Sequence, residues 1–200
     1  MSSPREWASP SLPGTGPALL ERAAGYTRGS LRLVTARAGA VRTPCSGWDL
    51  LTLLRHLDDS VAALTDAAVV GYVDLRPVAG CPGRRRDARD VADLVRDRVS
   101  GLLAGWAHRP DQREVSIDDR FLGSDLLAAA GALEIGVHGW DVAVACRQPR
   151  PLPEALARDL LGVLPVLVDP SDRPARFAEP VDVPADADAG TRLLAALGRS

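Results

Sequence analysis

Three polar side chains interrupt an apolar stretch in the second half of the chain, and their spacing places them on one side of a helix. The stretch runs from Leu126 to Cys146 and carries Glu134, His138 and Asp141 among apolar and small residues. On a helix these three positions are i, i+4 and i+7, which fall along one stripe. A buried carboxylate or imidazole is unfavourable unless it is paired or bound. Glu134 and His138, one turn apart, could therefore bind the same metal ion.

A third ligand is expected from an earlier helix. His56 is an isolated histidine on a second apolar helix, with the small polar residues Thr52 and Ser60 one turn to either side. Helical bundles build metal sites in their core from ligands on facing helices. Two imidazoles and one carboxylate, with a water in the open position, suit catalytic zinc, and the same ligands also accept nickel, iron or manganese. The predicted metal ligands are therefore His56, Glu134 and His138.

Simpler explanations exist for each of these residues. His56 is also explained as a core histidine that is hydrogen-bonded to a carbonyl group, and Glu134 with His138 as a buried ion pair. Asp141 is better explained as the residue that orients a ligating histidine than as a direct ligand, since a carboxylate behind a metal-bound histidine is a common arrangement. The spacing alone leaves these alternatives open.

The apolar pattern predicts a helical bundle that would position these side chains. Four long amphipathic helices come first and shorter pieces follow. Trp48 and Trp140 are expected to fill the core, and Val115 and Ile117 alternate with polar residues as in a short strand or extended arm. The first predicted helix spans 17–38, and the second begins at residues 46–49 and ends before 71. The others span 87–107, 122–146, 153–167 and 189–197.

The connections between the predicted helices carry two further signals. Ser46 and Asp49 form a capping-box pattern, S-x-x-D, that would begin the second helix. The connection 71–87 is long and rich in glycine and proline, and it contains an arginine triplet at 84–86. Such a triplet usually covers a solvated surface. Arg85 is nevertheless a candidate for binding an anionic group of a cofactor or substrate.

The composition describes one ordinary globular domain. The chain has 200 residues, is 46% hydrophobic and carries a net charge of −2, which is enough for one core. It lacks the basic excess that a nucleic-acid-binding protein needs to neutralise phosphates. We predict a flexible N-terminal tail at 1–16 and a single helical domain at 17–200. The expected partner is a small-molecule substrate, and the expected assembly is a monomer or homodimer.

Cysteine usage and the N-terminus indicate a cytoplasmic location. Cys45, Cys81 and Cys146 are widely spaced and form no CxxC pair, which is typical of a reduced compartment. A catalytic thiol is not expected among the three cysteines. The N-terminus lacks the apolar core of a signal peptide. The polar stripe at 134–141 also argues that this helix does not span a membrane.

Two segments resemble the motifs of a known family. The first is TPCSGWDLLTLLRHL at 43–57, and the second is ALEIGVHGWDVAVAC at 132–146. Both resemble motifs of the DinB-like metalloenzymes and, more closely, of the mycothiol-dependent maleylpyruvate isomerase family. The ending FAEPVDVPADADAGTRLLAALGR at 177–199 is similar to that of a short, single-domain branch of the family. The resemblance covers nearly everything from Pro17 to Arg199.

The resemblance implies a fold, a metal and a co-substrate. The fold is an all-α, DinB-like four-helix bundle with short extra C-terminal helices. The family's metal ligands, one histidine on the second helix and a glutamate and a histidine on the fourth, fall on His56, Glu134 and His138. The implied co-substrate is mycothiol, a low-molecular-weight thiol that a divalent metal would activate for S-transfer to, or isomerisation of, a small electrophilic substrate.

The chain departs from the family in two places, and other functions stay open. The maleylpyruvate isomerase itself has an additional C-terminal α/β domain, and Leu57 and Asp58 follow the helix-2 histidine where apolar residues are more usual. The family's fold and metal therefore transfer better than its substrate. The alternatives are a thiol-independent metal-dependent lyase, cyclase or hydrolase, and a non-catalytic metal-binding bundle. A purely structural helical domain remains if the chain binds no metal.

Overall fold

The chain folds into six α-helices and one small sheet within the described residues, which are 16–73, 86–108, 114–117, 120–174 and 176–199 of a computed structural model. The helices are α1 (Gly16–Leu31), α2 (Leu50–Val70), α3 (Ala88–Ala107), α4 (Ser124–Ala145), α5 (Glu154–Leu167) and α6 (Ala189–Ala196). The strands are β1 (Tyr72–Val73), β2 (Glu114–Ile117) and β3 (Arg120–Gly123). The predicted tail, apart from Gly16, and most of the predicted connection 71–87 lie outside the described residues.

The four long helices pack in pairs and confirm the predicted all-α bundle. The helix α1 runs along α4, α2 runs along α3, and α2 also meets α4. The short helices α5 and α6 pack on each other, and α5 also contacts α1 and α4. One continuous core of mainly leucine, valine and alanine side chains joins all six helices. Of the helices described, none combines the length and the apolar character that crossing a membrane requires.

The helix α2, which carries His56, begins with a different cap from the predicted one. Asp49 is the N-cap, and its Oδ1 accepts a hydrogen bond from the backbone N–H of Thr52 at 2.8 Å. The prediction that Ser46 caps this helix was wrong: Ser46 lies in the turn before it, and the Asp49 carboxylate already satisfies an open N–H of the first turn. The helix ends at Gly71, whose φ of 78° is the left-handed conformation that favours glycine.

The first helix is shorter than predicted. A helix was expected over 17–38, but α1 ends at Leu31 and a separate 3₁₀-helix covers Ala36–Ala40. Between them Thr35 is extended, with φ −108° and ψ 159°. Val34 and Thr35 are both β-branched, and two such residues in succession disfavour helical backbone. Val34 is still buried in the core, which is why its apolar signal looked helical.

The helix α4 lies deep in the bundle because its glycines allow close contact. A Cβ at Gly139 would overlap the side chain of Thr27 on α1, and a Cβ at Gly131 would lie 2.8 Å from a methyl group of Leu64 on α2. The Thr27 hydroxyl donates a hydrogen bond to the carbonyl of Ile135 at 2.7 Å. Most faces of α4 are therefore covered by protein, and Glu134, His138 and Asp141 project from a well-fixed backbone.

A three-stranded sheet leads into α4. The strand β2 pairs with β1 in parallel and with β3 in antiparallel orientation, so the spatial order is β1-β2-β3. The predicted short strand at Val115 and Ile117 is confirmed as β2. Its pairing with β1, which follows α2 after Gly71, was not predicted. The strand β3 ends at Gly123, directly before α4.

Candidate metal centre

His56 and Glu134 meet across the interface of α2 and α4. Nε2 of His56 lies 2.6 Å from Oε1 of Glu134, and each side chain is about one-third exposed. The hydroxyl of Ser60, one turn after His56, donates a hydrogen bond to the same Oε1 at 3.0 Å. Of the two small polar residues that flank His56 on α2, Ser60 therefore joins the site. His56 and Ser60 both contact Oε1 of Glu134.

His138 completes the cluster from the same helix as Glu134. Its Nε2 lies 3.5 Å from Oε1 of Glu134, as expected for side chains one turn apart. Ligand atoms of His56, Glu134 and His138 all lie within 4.8 Å of one another. The structure thus brings together the three residues that the sequence singled out.

Asp141 lies behind His138 and fixes the orientation of its ring. Oδ2 of Asp141 lies 2.9 Å from Nδ1 of His138. Because an ionised carboxylate only accepts hydrogen bonds, Nδ1 carries the proton in this contact. Nε2, the other ring nitrogen, is on the side of the ring where Glu134 lies. A histidine held in this way is arranged as metal-bound histidines usually are.

Arg199, near the C-terminus, holds Asp141 from the other side. Its Nε donates to Oδ1 and its Nη2 to Oδ2 of Asp141, each at 2.9 Å. The Asp141 side chain is 0% exposed and that of Arg199 is 11% exposed, so the pair is buried. Arg199 was not predicted to lie at the site, because its position has no periodic relation to α4. The sequence offered one indirect signal for such a residue, since a buried aspartate needs a cationic partner.

The electrostatics of the cluster keep both carboxylates ionised. Burial raises the pKa of Glu134, but the hydrogen bond with His56, the charge of His138 and the Ser60 hydroxyl outweigh it and set the pKa at about 2, against an ordinary value of 4.5. Burial also raises the pKa of Asp141, but the hydrogen bonds from His138 and Arg199 lower it below its ordinary value. The hydrogen bond with Glu134 raises the pKa of His56.

Trp48 lies at the site as well as against the core. Its ring meets His56 edge-on with centroids 4.7 Å apart, and it stacks near His138 with centroids 6.2 Å apart. Thr43 fixes the preceding loop by donating to the carbonyl of Trp48 at 3.0 Å. Trp48 was predicted only to fill the core. Its place in the first of the two motifs, eight positions before His56, was a signal of proximity to the site.

Of the remaining candidates, those that the structure describes do not join the cluster. Arg84 and Arg85 lie outside the described residues, so the suggested anion-binding role of Arg85 stays a prediction, and Arg86 is exposed. Cys45 and Cys146 are free thiols, and burial raises the pKa of both. A raised pKa disfavours the reactive thiolate.

The donor set fits a divalent metal ion. Two donors at about 2.1 Å from one ion are at most about 4.2 Å apart. The two distances from Oε1 of Glu134 to the histidine nitrogens, 2.6 and 3.5 Å, lie within this limit, and the ligand atoms of all three residues lie within 4.8 Å of one another. Two imidazole nitrogens and an anionic carboxylate are ligands that zinc and other first-row divalent metals accept. Asp141 supplies the supporting hydrogen bond that such a site needs.

Comparison with known proteins identifies the family. The family model described as the mycothiol maleylpyruvate isomerase N-terminal domain matches residues 20–143, which is more than half of the 200 residues. The matched range includes His56, Glu134, His138 and Asp141, and it ends before Arg199. No curated protein and no solved structure matches the chain. The family and the His–Glu–His cluster both suggest a divalent metal. The chain therefore belongs to the mycothiol maleylpyruvate isomerase N-terminal domain family.

Proposed function

We propose that the protein is a metal-dependent enzyme that activates a low-molecular-weight thiol of the mycothiol type. Its second substrate is a small electrophile, which the thiol modifies by S-transfer or isomerises. His56, Glu134 and His138 hold the divalent metal, for which zinc is the first expectation. The convergence of these three donors, with Asp141 behind His138, is the observation that supports the proposal most strongly.

Each residue of the cluster has a defined task in this proposal. Glu134 contributes the negative charge, and Ser60 orients its carboxylate through the hydrogen bond to Oε1. His56 and His138 contribute neutral nitrogen donors, and Asp141 holds the proton of His138 on Nδ1. The Trp48 ring lies edge-on to His56 and stacks near His138. A bound divalent metal supplies a Lewis acid that lowers the pKa of a thiol ligand, so that a thiolate is available at neutral pH.

The thiol reaction that we propose needs no external oxidant or reductant. In S-transfer, the thiol sulfur forms a bond to an electrophilic carbon, and either a leaving group departs or a proton ends on the neighbouring carbon. In isomerisation, the thiol adds across a carbon–carbon double bond, the resulting single bond rotates, and elimination restores both the double bond and the free thiol. The thiol is consumed in the first reaction and regenerated in the second.

Metal analysis followed by a thiol-dependence assay tests the proposal. Protein purified without chelator is analysed for bound divalent metals. It is then assayed with α,β-unsaturated acids and other small electrophiles, with and without mycothiol. Turnover that needs both the metal and the thiol is the expected result. Metal-dependent turnover without a thiol would support the lyase, cyclase or hydrolase alternative, and metal binding without turnover of any tested electrophile would favour a non-catalytic bundle.

A further inference from the structure

Arg199 is joined to the metal-ligand cluster through two successive contacts. Its guanidinium binds both oxygens of Asp141, and Oδ2 of Asp141 also lies against Nδ1 of His138. We infer that Arg199 is a positioning residue of the metal centre, which fixes the Asp141 carboxylate and through it the ring of His138. This inference rests on the proposed function, because it assigns Arg199 a role in how tightly and in what geometry the metal is held.

The backbone conformation after α6 directs the Arg199 side chain toward Asp141. After α6 the backbone turns back at Gly198, whose φ is 73°. A Cβ there would lie 2.8 Å from the carbonyl oxygen of Glu179, so both the conformation and the space require glycine. The backbone N–H of Arg199 then donates to the carbonyl of Leu194 at 2.9 Å. This turn places the Arg199 side chain against α4.

The two-pronged contact supplies a constraint that a single hydrogen bond does not. A carboxylate that holds only the Nδ1 proton of His138 can still rotate about its own bond. Arg199 donates separate hydrogen bonds to Oδ1 and Oδ2 of Asp141, and such fork-shaped pairing fixes the plane of the carboxylate. Oδ2, which contacts His138, is then held in one position. The orientation of the His138 ring follows from it.

A purely electrostatic role for Arg199 makes the opposite prediction. A guanidinium close to the site carries a positive charge, and that charge by itself would repel a metal cation. If charge were its only effect, loss of Arg199 would tighten metal binding. If Arg199 positions Asp141 and His138, its loss weakens metal binding. The direction of the change therefore distinguishes the two roles.

The inference also gives the C-terminal segment a role in the site. The family match ends at residue 143, whereas Arg199 follows α6. The segment that contains α5 and α6 would then complete the metal centre as well as packing on the bundle. In the matched region alone, Asp141 would keep its contact with His138 but lack the guanidinium that pairs its charge.

Cobalt binding to full-length variants tests this role. Cobalt(II) reports its ligand geometry through its visible absorption, and competition with a chelator gives its dissociation constant. We expect Arg199→Gln to weaken cobalt binding by about tenfold and to change the spectrum, in line with the effects of removing groups that support a ligand. Arg199→Lys keeps the charge but not the fork, so it should weaken binding by less. It also provides a folded variant if Arg199→Gln does not fold.

Arg173 provides the matched control. It is also an arginine that anchors the C-terminal segment, since its Nη2 donates to the carbonyl of Ala196 at 2.6 Å. Arg173→Gln should loosen this segment while the cobalt spectrum and affinity stay close to wild type. Wild-type affinity and spectrum in both Arg199 variants, tighter binding in Arg199→Gln, or an equal loss in Arg173→Gln would overturn the inference. Failure of the wild-type protein to bind cobalt would instead contradict the proposed function.

Discussion

Oε1 of Glu134 lies 2.6 Å from Nε2 of His56, and this contact joins α2 to α4 at the centre of the candidate site. The same oxygen accepts a hydrogen bond from Ser60 and faces Nε2 of His138. One carboxylate oxygen therefore gathers groups from two helices. The charge of Glu134 should consequently affect the stability of the fold as well as metal binding.

Glu134 should make the stability of the metal-stripped protein depend on pH in the acid range. Its pKa is about 2 in the folded protein, against 4.5 ordinarily. Because the folded value is the lower one, the stabilisation is complete above about pH 4.5 and is lost as the pH falls toward 2. We expect the difference in unfolding free energy between wild type and Glu134→Gln to shrink over this interval, as measured by urea denaturation with chelator present.

Glu21 supplies the control for this experiment. It is an exposed carboxylate on α1, so Glu21→Gln should leave the acid dependence of the wild type nearly unchanged. If the unfolding free energies of wild type and Glu134→Gln fell in parallel between pH 4.5 and 2, the ionisation of Glu134 would not contribute to stability.

Loss of the Asp141 carboxylate should affect both stability and metal affinity. Asp141→Asn leaves the buried guanidinium of Arg199 without its anionic partner, and breaking a buried pair on one side typically costs about 3–5 kcal/mol. The variant also weakens the hydrogen bond that orients His138, so metal affinity should fall by about 10–100-fold. Urea denaturation and chelator competition measure the two effects separately.

A second aspartate–arginine pair provides a matched comparison on the surface. Asp159 and Arg22 are 2.6 Å apart, but their side chains are 32% and 40% exposed. Exposed pairs contribute about 1 kcal/mol or less. Asp159→Asn should therefore lower the free energy of unfolding only slightly and should leave metal affinity intact. Equal effects of Asp141→Asn and Asp159→Asn would contradict the role given to the buried pair.

Trp48 should report metal binding through its fluorescence. Its ring lies against both histidines of the cluster, and the chain has four tryptophans. Cobalt(II) binding should quench part of the emission, and Trp48→Phe should remove most of that quenching while keeping much of the packing. Trp106→Phe changes a ring in the last turn of α3, and this variant should retain the quenching by cobalt. Loss of quenching in Trp106→Phe alone would place the metal elsewhere.

Helical spacing predicted the cluster well because most of it lies on single helices. Glu134, His138 and Asp141 share α4, where positions one turn apart are neighbours by geometry. His56 could be paired with them only by assuming that two apolar helices face each other, and α2 does meet α4. The bundle itself followed from the same apolar periodicity.

The features that the sequence did not predict depend on contacts between distant segments or on single-residue geometry. The sequence indicated that the last helix ends at Gly198, but it did not show that the turn there brings Arg199 to Asp141. The cap of α2 was assigned to Ser46 because S-x-x-D has two oxygen-bearing candidates, and only the structure shows that Asp49 accepts the hydrogen bond. The end of α1 was missed because Val34 is buried without being helical.

Metal content of the purified protein and its histidine and glutamate variants tests the central claim most directly. The chain has three histidines, and His108 is an exposed residue at the end of α3, so His108→Ala is the control. We predict about one divalent metal per chain in the wild type and in His108→Ala, as for a single site with three protein ligands. His56→Ala, Glu134→Ala and His138→Ala should each lose most of it. A full metal load in all three of these variants would contradict the account.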